Sequence, residues 1–101
     1  MTLHLVIHRP DAAEGSTAEA AIRSALLDAV WEVAESHWAP CKEVVLVSTD
    51  LSPDYLLAHF RQALAQRGHG EPGMLLVAPV GPATAWCGMP ADVEAWMAEV
   101  R

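Results

Sequence analysis

The sequence predicts an α+β sandwich of order βαββαβ with an additional C-terminal helix, in one domain over residues 1–101. Three observations carry that expectation. Residues 2–8 alternate Leu3, Leu5 and Ile7 with His4, Val6 and His8, the period of a half-buried strand. Two helix starts are written out, Ser16 with Glu19 three residues on, and Ser52-Pro53-Asp54. Pro40 stands between a helical stretch and a β-branched run, leaving almost no room for a loop unless Trp38 to Cys41 already runs extended.

The elements follow in order. Arg9-Pro10-Asp11 ends the first strand, because proline donates no ladder hydrogen bond, and the small polar stretch to Gly15 is a loop. Ile22, Leu26, Ala29, Val30 and Val33 recur at helical spacing from about residue 17 to 35. Leu27 and Trp31 lie beside that stripe and are expected to widen its buried face. Ser36 to Cys41 reads as either a ragged helix end or a short edge strand pairing back through a tight turn near Lys42, and Glu43 to Thr49 as a central strand covered on both faces. Leu56, Leu57, Phe60 and Leu64 mark a second amphipathic helix to about Arg67, closed by Gly68. Gly68 to Gly73 is a turn, Met74 to Ala78 a last strand stopped by Pro79 to Pro82, and Pro90 and Asp92 open a short helix with Val93, Trp96, Met97 and Val100 on one face. With the Trp38 tract extended, the chain folds as a four-stranded sheet with two helices on one face, the ferredoxin-like arrangement. Without it, three strands alternating with helices would allow a small parallel, doubly wound sheet.

Composition narrows function. The 52% hydrophobic content supplies a real core, and no apolar run approaches the roughly 18 residues that cross a bilayer. The start of the chain shows no basic and apolar leader, so a cytoplasmic location is expected. Two cysteines, Cys41 and Cys87, are too few for a disulfide framework, and reduced, buried thiols are the expectation. Thirteen acids against six bases give a net charge of −7, with the cations scattered from Arg9 to Arg101. Nucleic-acid affinity rests on clustered Lys and Arg, so this balance argues against a nucleic-acid partner.

Several stretches carry a likeness. Ser36-His37-Trp38, Glu43 to Thr49, Thr49-Asp50-Leu51-Ser52, Gly73 to Val80, and Trp86-Cys87-Gly88 ahead of a helix with Trp96 together resemble the SinR family of small ferredoxin-fold proteins. That family is related to the CRISPR-associated ferredoxin-fold nuclease and to virulence-associated protein D. The resemblance implies a ferredoxin-like homodimer and, in the nuclease relatives, a metal-binding aspartate at the end of strand one. Here Arg9 stands where that acid would be, and a fixed positive charge repels a divalent cation.

Site chemistry is sparse. His4 and His8 share a strand face about 13 Å apart, too far to ligate one ion within one chain, and His59 and His69 have no spacing partner. No metal, cofactor or catalytic residue is assigned. Cys41 near His37 is the closest approach to a nucleophile and base, with Pro40 between them and no recognisable motif. The glycine-rich turn at Gly68 precedes a strand, whereas a phosphate loop precedes a helix. The sheet side carrying His4, Val6, His8 and Trp38 is expected to be the one the two helices leave bare, to be buried by Trp96 and Met97 of the last helix or by a second copy. Those six residues form the expected interface. The leading expectation is therefore a non-catalytic homodimer acting through protein contacts, with no membrane partner. A metal-dependent nuclease, with Asp11 as its acid, is the rival, and an acidic, nucleic-acid-mimicking inhibitor from a mobile element is the third reading.

Overall fold

The computed structural model describes residues 2–70, 73–81 and 84–100. The Glu71-Pro72 part of the glycine-rich turn, the stop at Pro82, Arg101 and the side chain of Val100 lie outside the described residues. The elements run β1 (Thr2–Arg9), α1 (Thr17–Val33), β2 (Ser36–Cys41), β3 (Val44–Thr49), α2 (Pro53–Gln66), β4 (Met74–Val80) and α3 (Ala91–Val100). One sheet has the order β2-β3-β1-β4, every neighbouring pair antiparallel. This is the ferredoxin-like α+β fold with a C-terminal helix, and the parallel, doubly wound alternative falls with it.

Local chemistry explains the element ends. The Ser16 hydroxyl accepts from the Glu19 N–H at 3.1 Å, while the Glu19 carboxylate accepts from the Gly15 N–H at 3.2 Å, so two orphan donors at the start of α1 are satisfied together. The helix stops at Val33, two residues short of expectation. The reason is the sheet: the Glu35 N–H already donates to the Ser48 carbonyl at 2.9 Å, and Ala34 is extended. Pro40 sits in β2 where proline is tolerated, on an edge strand, and a register irregularity falls between Trp38 and Cys41. The end of α2 is a Schellman motif, with Gly68 N–H on the Ala65 carbonyl, His69 N–H on the Leu64 carbonyl, and Gly68 at φ +82°.

Strand alternation divides the core in two. On one side Val6, Val45 and Val47 pack under Leu26, Ala29 and Val30 of α1 and Leu56, Phe60 and Ala63 of α2. Ala29 and Ala63 are small, which lets the two helices close over the sheet, and Ile22, Ala25 and Leu64 fill a further cluster. Each fully buried large side chain here contributes about 1.5–3 kcal/mol relative to exposure. On the other side α3 lays Val93 and Met97 on Leu3 and Leu46, with Trp38, Trp86 and Trp96 half-buried around them. The Trp96 Nε1–H donates to the Ser36 hydroxyl at 3.1 Å, tying α3 to the edge strand.

Candidate functional site: the uncovered half of the sheet

The expected assignment of sheet sides is reversed. His4, Val6 and His8 are buried on the side roofed by α1 and α2, and the register carries Trp38 on the opposite side with Leu46 and Leu5. The six expected interface residues are therefore not brought together. Met97 is buried against the sheet, and Trp38 and Trp96 are half-buried beside it. Alternation alone yields two sets of residues, and both sets of a central strand are buried here. Which set meets the helices is decided by β3, whose small Val45 and Val47 fit beneath two close helices while Leu46 points the other way.

The side facing α3 is only partly covered. Leu3 and Leu46 lie under the helix, but the opposite end of the same face, Ile7 on β1, Val44 on β3 and Met74 and Leu76 on β4, belongs to none of the buried clusters. Leu76 is 46% and Met74 52% exposed, while Ile7 and Val44 are partly buried by their own neighbours. Side chains that alternation places on this half, from Leu5 and Ile7 to Leu76 and Ala78, include no carboxylate, and the one charge among them is the exposed Arg9 at the end of β1 opposite Met74. A chain carrying −7 thus keeps its negative charge off this strip.

The histidines and cysteines sit apart. Burial pushes His4 below the ordinary histidine range, partly offset by a hydrogen bond with the Thr2 backbone, and burial does the same to His37. His37 lies on the same side as His4, with Val47 between them, and its ring meets the edge of Trp31 at 4.8 Å between centroids. Among the described residues no group of three or more His, Cys, Asp or Glu is placed to hold a metal ion. Both cysteines are exposed, contrary to the expected buried thiols.

Three of the supposedly scattered cations converge. Arg9, Arg23 and Lys42 line one cavity of about 160 Å³, together with Glu14, Glu19 and Glu43. Lys42 pairs with Glu14 at 3.0 Å and Arg23 with Glu19 at 3.6 Å. The Lys42 ammonium holds the Glu14 carboxyl below its usual range, and the carboxylate raises Lys42 in return. Arg23 also donates to the backbone carbonyls of His8 and Lys42, linking the end of β1 to the β2–β3 turn. Three cations matched by three carboxylates make a structural clasp and leave no surplus of positive charge for a phosphate backbone.

Among the described residues no helix is long and apolar enough to cross a membrane. No protein-family model, curated protein or solved structure matches the chain. What the structure shows is the ferredoxin-like βαββαβ fold, closed on one side by two helices and half-closed on the other by a third.

Proposed function

We propose that the protein works as a homodimer, through protein contacts, with the uncovered half of its sheet as the surface where two copies meet. The observation that carries this reading is the strip of Ile7, Val44, Met74 and Leu76 beyond the reach of α3. Burying it against water-free surface is favourable by about 25 cal/mol per Å². A two-fold dimer presents the same patch from each copy, so the patch must be self-complementary, and the apolar strip is, with the exposed Arg9 beside Met74 kept to its rim. An acidic partner chain would otherwise repel its twin.

The dimensions set the strength. Three strands spaced about 4.8 Å apart, over half a strand length of roughly 12 Å, give a footprint of about 200 Å². That is below the ~800 Å² per partner of a standard interface, so the dimer is of the micromolar, exchanging kind. The likeness of the tryptophan-bearing edge strand and its neighbours to the SinR family supports pairing too, since a ferredoxin-like homodimer is what that likeness implies. Arg9 at the place of the nuclease relatives' acid supports a role through contacts over metal-dependent cleavage.

Sedimentation velocity across about 1 to 100 µM, a range bracketing weak interfaces, tests this. The native chain should shift from monomer to dimer, and Leu76→Glu should stay monomeric with an unchanged circular dichroism spectrum. A native chain that is monomeric throughout, or a Leu76→Glu variant that pairs as before, contradicts the proposal.

A further inference from the structure

A second surface lies on the other side of the molecule, where α1 meets the edge of the sheet. Trp31 is 71% exposed, far from the buried flank its position beside the α1 stripe suggested. It forms one wall of a cleft of about 420 Å³ with Leu27 and Ala34, and the floor is the edge strand itself at Ser36, His37 and Ala39. One side of β2 pairs with β3, and no strand pairs with its other side among the described residues. The Ser36–Ala39 stretch thus offers backbone donors and acceptors to solvent before Pro40 ends any further ladder.

Charge decides what fits. Among the described residues lining the cleft there is one carboxylate, Glu35, and no lysine or arginine. Asp28, one helical turn before Trp31 on α1, is exposed as well. An exposed tryptophan is therefore flanked by acids on either side. His37 adds no positive charge near neutral pH, because burial favours its uncharged ring.

We propose that this cleft takes an extended, basic segment of a partner protein, which adds as a fifth strand along β2 and drops an apolar side chain beside Trp31. Main-chain hydrogen bonds to Ser36–Ala39 supply register, the Trp31 and Leu27 wall receives alternate side chains, and lysine or arginine on the segment meets Asp28 and Glu35. A second copy is disfavoured at this edge. A second copy brings a net charge of −7 and no lysine or arginine in its own cleft lining, so a basic segment is the better match to Asp28 and Glu35.

The probe is a short, blocked, fluorescently labelled peptide of alternating valine and lysine, titrated into the full chain and followed by anisotropy and by amide shifts in ¹H–¹⁵N spectra. Binding should perturb the Ser36–Ala39 amides and weaken about tenfold in Trp31→Ser, as truncation of an aromatic anchor does. An alternating glycine and lysine peptide of equal charge should bind about tenfold more weakly too, since it lacks both side chains and strand propensity. The exposure of Trp31 makes that variant's fold safe, and Glu35→Lys provides a second reading through charge reversal. Equal binding of the two peptides, an unaffected Trp31→Ser, shifts centred on β4, or no binding at all would each overturn the proposal. So would Trp31→Ser abolishing self-association instead, which would assign this edge to a second copy. Leu76→Glu should leave peptide affinity unchanged, so failure here and failure of the sheet-face dimer are read separately.

Discussion

Substituting Gly73 by alanine should be among the costlier single-methyl additions the chain can suffer. Gly73 leads into β4 with φ at +81°, and a Cβ placed there would stand 2.5 Å from the Arg9 carbonyl oxygen and 2.6 Å from the Asp11 nitrogen. Those neighbours are backbone at the end of β1, so neither can swing aside like a side-chain tip. The left-handed conformation alone costs an alanine about 1 kcal/mol. The overlap, about 1 Å short of an optimal contact of ~3.5 Å, adds the roughly 1–3 kcal/mol typical of overpacking, for a sum near 3 kcal/mol. Gly68 is the internal control: its φ is +82°, but a Cβ there meets nothing within 4 Å. Gly68→Ala should therefore cost only the conformational ~1 kcal/mol. Urea unfolding followed by tryptophan fluorescence at one low protein concentration reads both, and a 3 kcal/mol loss lowers Tm by roughly 15 °C in a domain this small. A Gly73→Ala variant no less stable than Gly68→Ala would refute the close approach of β4's entry to the end of β1.

Other perturbations probe the remaining joints. Trp96→Phe keeps the ring but removes the Nε1 donor to Ser36, and should cost about 1 kcal/mol; a double-mutant cycle with Ser36→Ala should show coupling of similar size, and additive losses would argue against the bond. Ser16→Ala and Ser52→Ala each remove an N-cap hydroxyl, on α1 and α2, and each should lower stability by about 1 kcal/mol in urea titrations. His4 is a base whose folded pKa lies below its unfolded value because of burial. The unfolded chain therefore binds the extra proton first: stability is full above the ordinary histidine range, falls as pH drops below about 6.5, and levels off below the folded value. Unfolding free energies measured from pH 8 to 5 should show a shallower decline in His4→Gln than in the native chain.

The strand and helix order was legible in the sequence because each boundary carries its own chemistry. Ser16 with Glu19, Ser52 with Pro53, and Gly68 are local signals, and local signals survive without knowledge of the fold. The edge strand was legible for a steric reason, the lack of loop room around Pro40. Which side of β1 faces the helices was not, because Leu3, Leu5 and Ile7 look as buriable as His4, Val6 and His8. That choice is made by the fit of Val45 and Val47 beneath α1 and α2, contacts between elements separated in the chain that strand periodicity does not encode. His4 and His8 read as interface residues of the bare sheet face, yet both are buried on the side roofed by α1 and α2. Trp31 failed in the opposite direction. A tryptophan beside an apolar stripe reads as core, but β2 meets it only through the edge contact with His37, and the ring is left as the wall of a cleft. The half-bare strip at Leu76 was invisible for a related reason: helical periodicity in α3 says that it covers something, and only its placement says how little.

The pairing of two copies across that strip is tested most directly by isotope-filtered NOE spectroscopy on an equal mixture of ¹³C-labelled and unlabelled chain. Sheet-face dimerisation predicts cross-peaks between chains among the methyls of Ile7, Val44, Met74 and Leu76, and their absence in Leu76→Glu. Intermolecular cross-peaks confined to other residues, or none in a sample concentrated well above micromolar, would contradict it.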